Sequence, residues 1–314
     1  MGNTAHTSGY VDVPRARIYW EATGNPDGVP VLYLHGGPGS SLGSGGYRSL
    51  YDPARFRTIG LDQRGCGRST PAAQNDLAHL HLNTTQQLIS DIDALRGELG
   101  ISRWIVSGIS WGSTLALAYA LAHPDRVAGL ALAAVTTTSR DEVDWITGGV
   151  GRFCPGALAE FTGEARALPG ERVVTAYARR LAGADRADAR AAARAWGRWE
   201  AAVAGLEPGT HARNRLDAGE LMSFALLVTH YWAHDGFLPG GKAILARVRE
   251  LDGIPAHLIH GRKDMGSPVA TAETLHSRWP SSRLTVLDGE GHVGPRAWGA
   301  LSTAVAELAG KRQG

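Results

Sequence analysis

The chain has 314 residues, of which 43% are hydrophobic and 20% are charged, a balance typical of a globular protein with a large core. With 32 basic and 30 acidic side chains its formal net charge is only +2, so neither nucleic acid nor an anionic membrane is expected as a partner. No apolar run reaches transmembrane length, and the N-terminus shows no signal-peptide pattern. We therefore expect a cytoplasmic protein in which Cys66 and Cys154 are free thiols.

The first half of the chain alternates between apolar runs and amphipathic stretches. Residues 10–21 alternate loosely between apolar and polar side chains, which predicts one antiparallel edge strand. Buried strands are predicted at 29–34, 57–61, 104–107 and 127–135, and helices at 84–99 and 114–122. This order predicts an α/β fold with a mostly parallel central sheet and helices on both faces.

The composition changes after residue 136. Residues 137–240 contain few strand-like runs and are rich in Ala and Arg, which predicts a helical insertion. Strands resume at 256–260 and 284–287, and an amphipathic helix follows at 298–308. We therefore divide the chain into a core, residues 1–136 and 241–314, and an inserted helical segment, residues 137–240.

The motif Gly108-Ile-Ser-Trp-Gly112 lies between a predicted strand and a predicted helix. Between a strand and a helix, Gly-x-Ser-x-Gly forms a nucleophile elbow. The backbone of the serine is strained there, and the two glycines allow the strand and the helix to approach closely. The oxygen of Ser110 would stand exposed above the sheet, with the amide of Trp111 directed at a developing oxyanion. The loop His35-Gly-Gly-Pro-Gly39, after an earlier strand, can also present N–H groups to an anion.

A serine nucleophile needs a base, and the base needs an orienting carboxylate. In α/β-hydrolases the chain order is serine, acid, histidine. Asp264 and His292 follow the last two predicted strands, at the edge of a parallel sheet where such folds place their ligands. We therefore predict a triad in which Asp264 orients His292 and His292 takes the proton of Ser110.

Other acids and histidines are weaker candidates for catalytic residues. Asp62 is followed by Arg64 and Arg68, which indicates a structural ion pair or a turn. His35 precedes the elbow and is expected to bond to the backbone and shape its loop. No phosphate-binding or dinucleotide glycine pattern appears, so no cofactor is expected. His257 and His260 are three apart on a predicted strand and would point to opposite faces, so no metal is expected either.

These residues resemble the proline iminopeptidase (prolyl aminopeptidase) family of α/β-hydrolases. The resemblance spans nearly the whole chain. It is carried by His35-Gly-Gly-Pro-Gly39, Asp62-Gln-Arg-Gly-Cys-Gly-Arg-Ser-Thr70, Asn83-Thr-Thr85, residues 108–120, residues 196–200, His260-Gly-Arg and Gly289-Glu-Gly-His292.

The resemblance implies an α/β-hydrolase fold with an inserted helical cap, and a serine hydrolase that releases an N-terminal proline or a similar small residue through an acyl-enzyme. It implies the triad Ser110, Asp264 and His292, and an oxyanion hole formed by the amides of Gly37 and Trp111. In that family, carboxylates bind the free amine of the substrate, and Glu200 is similar to one of them. A buried ammonium needs such a partner to offset its desolvation.

The cap departs from the family pattern at one stretch. The family usually carries a second acid shortly before an Asn-His-Tyr element, but residues 225–231 here read Ala-Leu-Leu-Val-Thr-His-Tyr. Val228 stands where the acid is expected, and His230 and Tyr231 are retained. The loop after Asp264 also lacks the family's usual cysteine. We expect Glu200, Val228, His230 and Tyr231 to line the substrate site.

Two alternatives remain open at this stage. The first is an esterase, amidase or lactonase that acts on a specialised metabolite, and the second is a non-hydrolytic lyase or small-ligand receptor with the same fold. The partner is a small molecule or short peptide in each case, and the sequence does not indicate an oligomeric state. A second carboxylate near Val228, supplied by Asp144, Glu220 or Asp235, would favour the aminopeptidase.

Overall fold

The computed structural model describes residues 6–43, 45–207, 216–240 and 243–310. Eight strands form one sheet in the described part of the chain. They are β1 (His6–Val13), β2 (Ala16–Gly24), β3 (Val29–Leu34), β4 (Phe56–Leu61), β5 (Trp104–Ile109), β6 (Val127–Ala133), β7 (Ala256–Gly261) and β8 (Ser282–Leu287). Their order is β1-β2-β4-β3-β5-β6-β7-β8. The pairs β1–β2 and β2–β4 are antiparallel and the others parallel, which confirms the predicted mostly parallel sheet.

Ten α-helices lie in the described part of the chain after β4, between the later strands and after the last one. They are α1 (Thr85–Glu98), α2 (Trp111–Ala122), α3 (Arg140–Ile146), α4 (Pro155–Ala165), α5 (Val173–Leu181), α6 (Arg186–Ala204), α7 (Ala218–Ala233), α8 (Ala243–Arg247), α9 (Ala270–Arg278) and α10 (Pro295–Gly310). Within the described ranges, none of them is both long and apolar enough to cross a bilayer.

The predicted insertion, residues 137–240, contains helices α3 to α7 and no strand in its described part. The division into core and cap stays a prediction. The segments 1–5, 44, 241–242 and 311–314, which were assigned to the core, lie outside the described residues, as do residues 208–215 of the predicted cap.

The prediction of one edge strand over residues 10–21 is wrong. The chain reverses at Pro14 and Arg15, and β1 and β2 form an antiparallel hairpin in which Tyr10 pairs with Tyr19. Arg15 has a φ of 62°, in the left-handed region that reverses the chain direction, and proline has no N–H to continue a ladder. The loose alternation of the sequence therefore belongs to two paired strands.

Strand β5 lies in the middle of the sheet, between β3 and β6, and all six of its residues are buried. Helix α2, which follows it directly, is buried over ten of its twelve residues. Both elements are almost entirely apolar, because they pack between other layers of the core and not against water. The turn between them is consequently held in a rigid part of the molecule, at the carboxyl edge of the sheet.

Candidate active site

Ser110 forms the turn between β5 and α2, with φ 56° and ψ −126°. A non-glycine residue with positive φ is strained, and it persists only where the surroundings hold it. A Cβ on Gly108 would lie 2.3 Å from the carbonyl oxygen of Gly112, and one on Gly112 would lie 2.2 Å from that of Leu34. Both glycines are therefore required by the close approach of the strands and the helix, as the elbow motif predicts.

Ser113 fastens the elbow to the segment that leaves β6. Its hydroxyl donates to the carbonyl oxygen of Ser110 at 2.6 Å and accepts from the amide of Thr136 at 2.9 Å. These bonds satisfy buried backbone groups on both sides of the turn. The last residue before the predicted cap is thus tied, through Ser113, to the backbone of Ser110.

The predicted acid and base are joined by a hydrogen bond. Asp264 follows β7 and His292 follows β8, and Nδ1 of His292 lies 2.8 Å from Oδ2 of Asp264. A carboxylate can only accept, so Nδ1 carries the hydrogen, and in the neutral ring Nε2 is the nitrogen with the lone pair. Oδ1 of Asp264 accepts from the amide of Ser267 at 2.7 Å, which fixes the other half of the carboxylate.

A second histidine, His260, also contacts Asp264. Because the amide of Val135 donates to Nδ1 of His260 at 3.0 Å, the hydrogen of this ring is assigned to Nε2. Nε2 lies 2.6 Å from the carbonyl oxygen of Ser267 and 3.3 Å from Oδ2 of Asp264. Burial raises the pKa of Asp264, but His292 and then His260 outweigh it and hold that pKa well below its usual range. The buried acid is therefore a carboxylate, able to stabilise a charged imidazole.

The predicted oxyanion hole combines two loops at the same edge of the sheet. Gly37 has a φ of +120°, and a Cβ there would lie 2.5 Å from the amide nitrogen of Gly39. Trp111 is the first residue of α2, where amide groups point away from the helix without an internal acceptor. None of the hydrogen bonds among the described residues uses the amide of Gly37 or Trp111. Their binding of a developing negative charge stays a prediction.

Gln63 connects these two loops, a role that the sequence motifs do not predict. Its side chain donates to the carbonyl oxygen of His35 at 2.9 Å and accepts from Nε1 of Trp111 at 2.9 Å. Its own amide donates to Nε2 of His35 at 3.1 Å. His35 bonds to the backbone and shapes its loop, as expected, and burial lowers its pKa so that the ring stays neutral and can accept.

The arginines near Asp62 are structural. Arg68 pairs with Asp62 at 2.7 Å, as the sequence indicates, whereas Arg64 pairs with Asp91 on α1. The buried Asp62 also accepts from the amide of Leu42 at 2.7 Å, and so holds the chain that follows the glycine-rich loop. This network supports the site without contributing a group to it.

Helix α7 of the predicted cap lies directly against the glycine-rich loop. A Cβ on Gly39 would be 2.8 Å from Cβ of Leu227 and 3.3 Å from Cα of Phe224. Gly39 has a φ of +93°, so both its conformation and this contact require glycine. The surface of α7 beside the predicted oxyanion hole is consequently apolar.

The four predicted substrate-binding residues lie on two helices of the predicted cap. Oε1 of Glu200 on α6 accepts from Nε1 of Trp196 at 3.2 Å. The remaining three lie on α7, where Val228 is fully buried and His230 and Tyr231 bond to Asn83 at 2.9 and 2.5 Å. Burial lowers the pKa of His230 to about 4, so this ring is neutral. The contact of these four residues with a substrate stays a prediction.

The three acids that could supply a second carboxylate near Val228 each have a partner among the described residues. Asp144 pairs with Arg172 at 2.8 Å, and Asp235 pairs with Arg140 at 2.5 Å. The Glu220 carboxylate accepts from the amide of Asp217 at 3.0 Å, as part of the capping box of α7. Each of these carboxylates therefore already has a partner within the predicted cap.

Comparison with known proteins gives a consistent result. Residues 29–295 match the family model described as alpha/beta hydrolase fold. A probable proline iminopeptidase of Streptomyces coelicolor is 43% identical over 88% of this chain and 86% of its own length. The proline iminopeptidase of Neisseria gonorrhoeae is 39% identical over 96% of each chain. The crystal structure of proline iminopeptidase from Mycobacterium smegmatis superimposes with a TM-score of 0.65 at 19% identity, covering 98% of this chain and 100% of that one, and so supports the fold.

Proposed function

Because the chain belongs to the proline iminopeptidase family of α/β-hydrolases, we propose that it is a serine hydrolase that releases an N-terminal proline, or a similar small residue, from a peptide or amide. The observation that carries the reaction class is the 2.8 Å hydrogen bond between His292 and the buried Asp264. With the hydrogen held on Nδ1, Nε2 has the lone pair that a general base needs.

In the proposed reaction Ser110 Oγ attacks the carbonyl carbon of the substrate, and its proton passes to Nε2 of His292. The carbonyl oxygen becomes an oxyanion, which accepts from the amides of Gly37 and Trp111. His292 then returns the proton to the departing amine, and the C–N bond breaks to leave an acyl ester on Ser110. Water, deprotonated by the same histidine, hydrolyses that ester and regenerates the serine.

The preference for a free N-terminal imino group rests on the relatives and on Glu200. This glutamate has no cationic partner among the described residues, and its exposure is intermediate. A carboxylate without a cation can pair with a substrate ammonium, so we assign Glu200 to that role. The second acid expected at position 228 is absent, and an apolar, fully buried valine stands in its place.

The buried Val228 favours one second candidate, an esterase or amidase that takes a substrate without a free amine. A panel of three substrates separates the two: a chromogenic prolyl amide, its N-acetyl counterpart and a simple ester. For the peptidase we expect kcat/KM for the free prolyl amide to exceed that for the acetylated one by at least about 30-fold, the lower end of the effect of an amine–carboxylate pair. Equal rates on both amides, with fast ester hydrolysis, would favour the second candidate, and Ser110→Ala is the control for background hydrolysis.

A further inference from the structure

Glu207 is a carboxylate of the predicted cap that reaches into the core, and neither the motifs nor the proposed mechanism uses it. It follows α6, through a turn in which its amide donates to the carbonyl oxygen of Ala204 at 3.1 Å. The residue is only 9% exposed. Burial of a carboxylate costs free energy of desolvation unless hydrogen bonds compensate for it. The hydrogen-bond partners of Glu207 therefore indicate its role.

Both hydrogen-bond partners of the Glu207 carboxylate lie on the loops that carry the acid and the base. Oε1 accepts from the amide of Met265, the residue after Asp264, at 3.0 Å. Oε2 accepts from the amide of His292 itself at 2.6 Å. One carboxylate of the cap thus bridges the loop that carries the acid and the loop that carries the base, through two charge-assisted hydrogen bonds.

The glycine before the base leaves room for this carboxylate. A Cβ on Gly291 would lie 2.3 Å from Oε2 of Glu207. The two loops are also joined directly, since the amide of Lys263 donates to the carbonyl oxygen of Glu290 at 2.8 Å. Glu207 therefore adds two bonds to a pair of loops that is also linked through its own backbone.

From this arrangement we propose that Glu207 is a positioning residue, which holds the backbones of Asp264 and His292 in register and makes the alignment of the base depend on the seating of the cap. This inference rests on the proposed function. A movement of the cap away from the core would break both bonds at once, and would release the base from the position in which it can take the proton of Ser110. The cap would then control the chemistry as well as the access of substrate.

A single substitution can remove the negative charge of Glu207 and keep the shape of its side chain. Glu207→Gln keeps the volume, but its NH2 group would face one of the two backbone N–H donors, so one bond is lost and two donors oppose each other. We expect this variant to react with a fluorophosphonate at Ser110 on the order of 10–100-fold more slowly, as a small misplacement of a catalytic group does. On a prolyl amide kcat should fall by a similar factor while KM changes less than about threefold, because Glu207 contacts the catalytic loops and not the substrate.

Two further variants make the result decisive. Glu160→Gln changes an exposed cap carboxylate that pairs with Arg198, and should label at the parental rate. Gly291→Ala leaves Glu207 in the chain but displaces its carboxylate, and should reproduce the slow labelling even if Glu207→Gln folds poorly. Unchanged kcat and labelling in both Glu207→Gln and Gly291→Ala, with normal labelling of the parent, would overturn the positioning role alone. Absence of labelling in the parent would overturn the proposed nucleophile, and the role of Glu207 with it.

Discussion

Replacement of Gln63 by leucine tests whether the two halves of the predicted oxyanion hole are held together as the structure indicates. Leucine has a similar volume, but it removes the acceptor of Nε1 of Trp111 and the donor to the carbonyl oxygen of His35. Both orphaned groups are buried, and each costs about 1–3 kcal/mol when it is left unsatisfied. We therefore expect Gln63→Leu to lose about 2–6 kcal/mol of unfolding free energy.

The same substitution should slow the reaction. The amides of Gly37 and Trp111 remain in the chain, but the loops that carry them lose their common support, so a displacement of the donors is expected to lower kcat on the order of 10–100-fold. Urea denaturation gives the stability change, and steady-state hydrolysis of a prolyl amide gives kcat. Gln86→Leu, at an exposed position on α1 with one hydrogen bond to the carbonyl oxygen of Phe237, is the control and should cost about 1 kcal/mol or less. A stability loss in Gln63→Leu no larger than that of the control, with kcat unchanged, would refute the reasoning.

Three other predictions follow from the site and its supports. Asp264→Asn should lower kcat about 10⁴-fold with little change in the fold, because an amide donor opposite Nδ1 favours the wrong tautomer of His292. Steady-state kinetics measures the activity and circular dichroism the fold, and a variant with parental activity would contradict the prediction. Gly112→Ala should destabilise the chain by about 1–3 kcal/mol or more, because its Cβ would lie 2.2 Å from the carbonyl oxygen of Leu34, and an unchanged urea midpoint would be inconsistent with the elbow packing. Burial opposes ionisation of Glu21, but hydrogen bonds from Arg48 and Tyr47 lower its pKa to about 2. The ionised carboxylate therefore stabilises the fold at pH values above its ordinary pKa of 4.5. That stabilisation is lost as the pH falls from 4.5 towards 2. Glu21→Gln should flatten this part of the stability–pH curve, and an unaltered slope in denaturation between pH 5 and 2 would argue against the ionised state.

The sheet was predictable because its strands are short apolar runs bounded by turns. Strand β3 has the bounds predicted for it, 29–34, and α1 lies within one residue of its predicted bounds and stops before Gly100, whose φ is 65°. The hairpin of β1 and β2 was missed, because two paired strands with one buried face show the same alternation as a single long strand. Pro14 was the local signal that should have divided them.

The candidate site was predictable where a residue stands at the end of a strand in a recognisable order. Ser110, Asp264 and His292 each occupy such a position, and the topology of a parallel sheet then brings strand ends to one edge. The contacts of Gln63 and Glu207 were not predictable, because they join distant loops. Glu207 is 85 residues from His292, and no local pattern records such a contact. His230 and Tyr231 illustrate the same limit, since their bonds to Asn83 cross about 150 residues of chain.

The central claim is that Ser110 is a nucleophile activated by His292, and covalent labelling tests it most directly. The chain is treated with a fluorophosphonate, digested, and mapped by tandem mass spectrometry, beside the variants Ser110→Ala and His292→Ala. We predict one modification, on the peptide that contains Ser110, which disappears in the first variant and forms much more slowly in the second. An unmodified Ser110, or labelling at an equal rate without His292, would contradict the account.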